Sequence, residues 1–269
     1  MDDKIFNRIL HELAKEHGYS LTRIIDGVYE FKKGSKRVYI RGKNFGLNTS
    51  LAATLSKNKA QTFEILRRNK IKAVPHYELY QPYYYAIFGD QEKRNKRRIN
   101  AVIKKEGLPL VLKPAEGQHS ENVSLVHTKR QLNRAVKDLF LIEKELVLSP
   151  FRDIKHEYRC VIYNGKVELI FDKVKPVRVR KKKLVFGVTP EIVEKNAKVY
   201  PKLEALAKRG AKALGMNFTT VDIIETEKEG LEILEINSTV CLGRFGNKNK
   251  EYYEKAKSIY KKVFRKAVK

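Results

Sequence analysis

An α+β fold of antiparallel hairpins interleaved with amphipathic helices is predicted by three features of this 269-residue sequence. Residues 157–163 and 166–171, and again 219–225 and 231–237, alternate apolar and polar side chains on either side of a short turn, the pattern of half-buried hairpins. Segments 3–17, 129–140, 190–214 and 250–267 instead carry apolar residues at helical spacing. A 42% apolar content with 12 Phe and 14 Tyr supplies a sizeable core, for one domain or for two or three closely packed subdomains.

Taken in order, Ile5, Ile9, Leu10 and Leu13 mark the buried face of a helix over 3–17, which Gly18 stops. Residues 27–31 and 37–41 alternate around Lys32-Lys33-Gly34-Ser35 and form a short hairpin. Residues 44–56 read as a loop, with Gly46, Asn48 and Ser50. A helix starts at Lys57-Asn58-Lys59 and runs through Phe63, Leu66 and Arg67; residues 71–75 then make a short strand ending at Pro75. Tyr77, Tyr80 and Tyr83 to Tyr85 surround Pro82 and precede a basic run, Lys93, Arg94, Lys96, Arg97 and Arg98. Aromatic and basic residues together can bind single strands. The usual exposure of charge runs favours a packing segment followed by a solvated helix face.

Residues 108–114 form a buried strand that opens into the polar loop 115–122, a second strand over 123–126 and the helix 129–140. Residues 145–151 form a strand broken at Pro150. The hairpin of 157–171 turns at Asn164-Gly165, a pair that specifies a tight turn. Lys173, Lys175, Arg178, Arg180 and Lys181 to Lys183 then make a cationic segment, either a loop over a substrate or a solvated arm. Leu203, Leu206, Ala207 and Ala211 stripe the helix 190–214, which Gly215 stops, and a Lys-rich amphipathic helix covers 250–267.

The net charge of +26 attracts polyanions or acidic substrates without choosing among them. Two distant cysteines, Cys160 and Cys241, fit a reducing interior. Asp2, Asp3, Glu12 and Glu16 are wrong for a secretion signal, and no apolar run approaches the ~20 residues of a membrane span. The expectation is a soluble, cytoplasmic protein with no membrane partner.

Four spots carry chemistry. Period-2 geometry puts Glu235 and Asn237 on one face of their strand, with Asp222 able to join from the partner strand, and three hard oxygen donors there point to magnesium-phosphate binding. The alternative is a solvated amphipathic hairpin. Lys59 opens a helix, where a cation is unfavourable unless an anion sits nearby, so it is a candidate phosphate contact. Lys113 ends a strand before a glycine-containing loop, an arrangement that can fold backbone N–H groups over phosphates. Glu157-x-Arg159 opens the following hairpin.

In chain order, Lys59, Lys113, Glu157-x-Arg159 and Asp222 with Glu235-x-Asn237, the four spots resemble the ATP-grasp superfamily of carboxylate-amine ligases, nearest the cyanophycin synthetase, glutathione synthetase and ribosomal-protein glutamate ligase type, over about residues 44–245. Lys113-Pro114-Ala115-Glu116-Gly117-Gln118-His119 is similar to the Lys-Pro-x-Asp-Gly-Asn-His loop of cyanophycin synthetases. Glu235-Ile236-Asn237 is similar to their Glu-Val-Asn, and Ser56-Lys57-Asn58-Lys59 with Pro75 to their Asp-Lys helix and closing Val-Pro.

The resemblance implies two α+β subdomains, 57–148 and 149–269, gripping ATP between antiparallel sheets behind a shortened N-terminal region, 1–56. By it, Lys59 and Lys113 hold the α- and β-phosphates under a loop that includes Gly117 and His119. Backbone groups of 147–151, Ser149 and Phe151 among them, meet adenine, and Glu157 accepts the ribose hydroxyls. Asp222, Glu235 and Asn237 hold two magnesium ions, or manganese. The γ-phosphate contact comes from one of Lys173, Arg178, Arg180 and Lys183, and Arg159 or Arg244 stabilises an oxyanion. Ser120-Glu121-Asn122 replaces the usual Gly-Arg-Gly, and Ser238-Thr239 the usual Pro-Gly.

Such a site transfers the γ-phosphoryl of ATP to a carboxylate, and an amine, from an amino acid or peptide, displaces phosphate from the acyl phosphate. Two other classes compete: a nucleic-acid-binding module built on residues 77–98 and the C-terminal helix, and a catalytically inactive ATP-binding protein. Asp222, Glu235 and Asn237 favour the ligase, and the net charge favours an acidic peptide as substrate.

Overall fold

The computed structural model describes residues 2–117, 121–173, 178–180, 183–185 and 189–269, without side-chain detail at 2, 3, 178–180 and 183–185. Helix α1 (Asp2–His17) leads into β1 (Ser20–Ile25), β2 (Val28–Lys33) and β3 (Lys36–Arg41), an antiparallel meander. The expected hairpin thus gains a strand, β1, whose mostly exposed residues carry no clean alternation and which is defined by its pairing with β2.

The expected loop 44–56 also contains a helix. Thr49 accepts a hydrogen bond from the Ala52 N–H and starts α2 (Ser50–Lys57). Asn58 ends it and caps α3 (Lys59–Arg68) by accepting from the N–H groups of Ala60 and Gln61. Residues 71–75 do not form the expected strand. Ala73 makes one parallel bridge to Ile233, closed by the Lys72 carbonyl and the Val74 N–H, and the pairing stops there.

The first α+β unit holds β4 (Tyr77–Tyr80), a 3-10 turn (Ala86–Phe88), α4 (Gln91–Glu106), β5 (Leu110–Pro114), β6 (Ser124–Val126), α5 (Lys129–Leu139) and β7 (Glu145–Pro150). Its antiparallel sheet runs β4-β7-β5-β6. Alternation sends Leu110, Leu112, Leu146 and Leu148 to the face covered by α4 and α5, where Ile99, Val102, Leu132 and Val136 meet them. Lys113, Val147 and Ser149 therefore belong to the other face.

The second unit holds β8 (His156–Tyr163), β9 (Lys166–Asp172), β10 (Arg178–Arg180), β11 (Lys183–Val185), β12 (Glu191–Ile192), α6 (Tyr200–Ala213), β13 (Phe218–Thr226) and β14 (Gly230–Asn237). Its five-stranded sheet runs β12-β9-β8-β13-β14, while β10 and β11, among the described residues, pair with each other within the expected cationic segment. The expected helix 190–214 starts only at Tyr200. Residues 191 and 192 pair with β9 instead, and Pro201 lies in the first turn of α6, where its missing N–H has no partner to lose.

One face of this sheet packs on α6, α2 and α3, with Cys160, Ile162, Val221, Ile223 and Ile236 against Leu203, Ala207, Ala52 and Leu66. Each such fully buried aliphatic side chain stabilises the fold by about 1.5–3 kcal/mol. Helix α6 approaches β14 so closely that a Cβ on Gly210 would lie 2.6 Å from Ile233 Cδ1. On the other face Val161, Leu169, Phe171 and Phe218 meet α1, the meander, α7 (Gly243–Gly246) and α8 (Lys250–Ala267). Phe6, Phe45, Tyr260 and Phe264 fill that core. Among the described residues no helix is long and apolar enough to cross a membrane.

Candidate active site

The same face of the five-stranded sheet changes from apolar to charged along its length. In register, Asp222 lies opposite Glu235 on one side and Arg159 on the other, and Thr220 lies opposite Asn237. Asp222 is fully buried with both oxygens occupied. Its Oδ1 accepts from Arg159 Nε at 2.7 Å, and its Oδ2 from Arg159 Nη2 at 2.6 Å and Lys173 Nζ at 2.7 Å. Lys173 also pairs with Glu157. Burial pushes the Asp222 carboxyl up, but Arg159 and Lys173 outweigh burial and hold it well below the usual carboxylate range.

Against Asp222 and Ile223 the register of β14 shifts, with Glu235 and Ile233 as partners and Leu234 left over. This bulge frees a carbonyl beside the site. His76 uses it. Buried behind Pro75, its Nε2 donates to the Leu234 carbonyl at 3.3 Å, and its Nδ1 accepts from the Ser149 hydroxyl at 2.6 Å. One side chain thereby ties β7 of the first sheet to β14 of the second. Burial, reinforced by the positive charge of Lys113 and Lys59, drives the His76 pKa well below its ordinary value and keeps the ring neutral.

Lys59 and Lys113 form the opposite wall. The Lys59 N–H donates to Ala115 O at 3.0 Å, and its ammonium reaches the carbonyls of Ala115 and Gly117, each at 3.4 Å, so α3 holds the start of the 115–122 loop. Asn58 donates to Glu145 Oε2 at 2.8 Å, and Tyr85 donates to the other Glu145 oxygen. Burial and then Lys59 push Lys113 down to about 8, while Glu235 opposes the shift. Lys59 is lowered by burial against the pull of Glu235, Glu116 and Glu143. Two ammonium groups are thus kept close together in a partly dry place, facing a carboxylate on the other sheet.

The structure brings Lys59, Lys113, Glu235, Asn237, Asp222, Arg159, Lys173 and Glu157 into one charged seam. The expected adenine contacts shrink, because β7 is paired on both flanks through Leu148. Only 149–151 lie past the end of β4, and the Phe151 N–H already donates to Pro109 O at 3.2 Å. Arg244 is an exposed residue of α7. His119 lies outside the described residues, as do the side chains of Arg178, Arg180 and Lys183.

Sequence reasoning missed His76, Glu145 and Tyr85. For His76 the signal was a lone histidine directly after the proline that ends the segment crossing between the units. Asp222, Glu235 and Asn237 are oxygen donors of the type a hard divalent cation takes. Glu235 and Asn237 fit one, being half-buried and joined to each other at 3.0 Å. Asp222 has its oxygens committed to Arg159 and Lys173. Among the described residues no group of three or more His, Cys, Asp or Glu side chains is disposed to hold a metal.

Residues 75–245 match the family model described as D-ala D-ala ligase C-terminus. The chain is 24% identical over 197 residues to a probable alpha-L-glutamate ligase of Syntrophotalea carbinolica, covering 72% of this chain and 60% of that protein. It is 28% identical over 193 residues to a D-alanine–D-alanine ligase of Clostridium beijerinckii, covering 70% and 59%. It therefore spans about 60% of the length of these curated relatives. The crystal structure of D-alanine–D-alanine ligase from Bacillus anthracis superposes with a TM-score of 0.62 at 21% identity, over 82% of this chain and 69% of that one.

Proposed function

The chain belongs to the D-ala D-ala ligase C-terminus family and has the ATP-grasp fold, and from that premise we propose that it is an ATP-dependent ligase joining a carboxylate to an amine. The observation that carries the reading is that Lys59, whose N–H and ammonium both reach the Ala115 carbonyl, and Lys113, two residues before Ala115 on β5, stand on one wall, with Glu235 the opposing carboxylate that acts on both. A polyphosphate bound there relieves their repulsion and recovers part of what their burial costs.

Lys59 and Lys113 bind and neutralise phosphate oxygens of ATP. Asp222 holds Arg159 and Lys173 in fixed positions, so two more cations stand ready for charge that develops as the γ-phosphoryl moves to the substrate carboxylate. Arg159 spends two of its five N–H donors on Asp222. A divalent ion held by Glu235 and Asn237 would neutralise further phosphate charge when bound. The carboxylate oxygen takes the phosphoryl group and ADP leaves. The amine then attacks the acyl carbon, phosphate leaves with the C–O bonding pair, and the amine proton passes to solvent. His76 stays neutral and orients Ser149 at the adenine end.

The relatives are named for ligases of alanine and glutamate, which supports amino acids or short peptides as both substrates. The test is phosphate release across pairs of amino acids and acidic peptides. Release of ADP and phosphate is expected only when acid and amine are both present, and Lys113→Met is expected to abolish it. Nucleotide binding without turnover for any pair would assign an inactive ATP-binding protein instead.

A further inference from the structure

We propose that helix α4 carries a second binding site, for single-stranded nucleic acid, on the face of the four-stranded sheet away from Lys113. Helix α4 holds Lys93, Arg94, Lys96, Arg97, Arg98, Lys104 and Lys105 against two acidic residues, Glu92 and Glu106. On α8, by contrast, Lys257 and Lys261 bridge to Glu12 and Glu16 of α1. On α4, Arg98 pairs with Glu78 at 3.2 Å and Lys105 lies 3.7 Å from Glu106. Lys93, Arg94, Lys96, Arg97 and Lys104 have no ion pair among the described residues.

The excess charge has a shape. Arg94, Arg97 and Lys105 edge a groove of about 470 Å³ whose floor is Ala101 and Val102 and whose wall is Tyr77. From Arg94 to Lys105 the helix rises about 16 Å. Just before α4 the chain exposes Tyr83, Tyr84, Ile87 and Phe88, at 83%, 56%, 87% and 59% of their surface. A basic track next to exposed rings suits a strand whose phosphates follow the arginines and whose bases stack on the aromatics.

An acidic peptide offers the same charge, but the structure disfavours it. Peptides add to such sheets as an extra strand along an exposed edge. On the α4 side the sheet edge is β4, and α4 has capped it. Asn95 accepts from the Tyr80 N–H at 3.2 Å and donates to the Tyr80 carbonyl at 2.6 Å, and Arg98 donates to the Glu78 carbonyl at 2.8 Å. What remains on this side is guanidinium, ammonium and ring surface.

The test measures anisotropy of a labelled 12-nucleotide oligouridylate, with a 12-residue oligoglutamate and phosphatidylserine vesicles as competing probes. The oligouridylate is expected to bind and the other two to bind at least ten-fold more weakly. Arg94→Ala/Arg97→Ala should lower the slope of log affinity against log salt by about 1.4, for two lost phosphate contacts on a single strand. Tyr84→Ala/Phe88→Ala should cost at least roughly 30-fold, one stacked base at each ring, with the slope unchanged. Lys202→Ala/Lys212→Ala, two exposed lysines of α6, should leave binding unchanged, and all variants should retain ATP binding at the seam. Equal losses for the α6 and α4 variants would reduce the effect to diffuse net charge and overturn the site. Absence of oligouridylate binding, or preference for oligoglutamate or vesicles, would overturn it as well.

Discussion

The two walls of the seam hold positive charge in opposite ways. On the five-stranded sheet, Arg159 and Lys173 are matched by Asp222 and Glu157, and every charge there has a partner within hydrogen-bonding distance. On the other wall, Lys113 of β5 and Lys59 at the start of α3 have no carboxylate within ion-pair distance among the described residues; Lys59 reaches only the Ala115 and Gly117 carbonyls at 3.4 Å, and Glu235 acts on both lysines from farther off. The first wall is a finished structural element and the second is an unfinished one. Paired charge fixes geometry, whereas unpaired charge stores affinity for an anion still to arrive.

Breaking the finished wall should have the largest effect. Arg159→Met leaves a fully buried carboxylate with Lys173 alone and is expected to destabilise the protein by about 3–5 kcal/mol in urea unfolding. The double variant Arg159→Met/Asp222→Leu should lose distinctly less than the single one. If it loses as much, Asp222 is not what Arg159 is there to satisfy, and the contrast fails.

Removing charge from the unfinished wall should do the reverse. Lys113→Met is expected to leave unfolding stability unchanged or slightly higher while nucleotide affinity falls about 10- to 100-fold, the worth of roughly 1.5–3 kcal/mol for a hydrogen bond to a charged group. Calorimetric titration and urea unfolding on the same preparation separate the two quantities. A large loss of stability would mean that Lys113 is already paired.

A pH series sharpens the same point. Lys113 in the folded protein is pushed down to about 8 from an ordinary 10.5. Between those values the unfolded chain keeps a proton that the folded chain has lost, so this lysine makes stability rise with pH across that window. The cost of holding it charged is present in full below about 8. Nucleotide binding should take up a proton near pH 8 to 9, visible as a dependence of binding heat on buffer ionisation enthalpy, and affinity should weaken above that range. The smallest effect is expected at Tyr85→Phe, which removes one hydrogen bond to Glu145 and, through Asn58, slackens the start of α3. About 1 kcal/mol of stability and less than three-fold in nucleotide affinity should go.

Much of both walls was legible because it is written in local patterns. Lys59 follows a capping asparagine, Lys113 ends an apolar run, and Asp222 and Glu235 come together because two alternating strands flank a short turn. Pairing across strands was not legible. Nothing in Glu157-x-Arg159 says that the arginine sits beside Asp222, since that contact depends on β8 lying next to β13, a choice made by tertiary packing. The bulge left a trace: Ile233 and Leu234 are adjacent apolar residues and break the two-residue period. Helix α2 went unread because Gly46 and Asn48 lie just before it and Ser50 opens it, while its cap, Thr49, is an ordinary loop residue by composition. The late start of helix α6 reflects Pro201, which starts helices as readily as it interrupts them.

Helix α8 closes over α1 and the meander, and the Tyr19 hydroxyl meets the Val268 carbonyl across 249 positions of sequence. During synthesis α1 and the meander therefore emerge with their apolar face uncovered, and they stay so until α8, more than two hundred residues later, has been made. Such distant closure makes this layer the slow, late step of folding, and the stage at which a nascent chain is most exposed to aggregation.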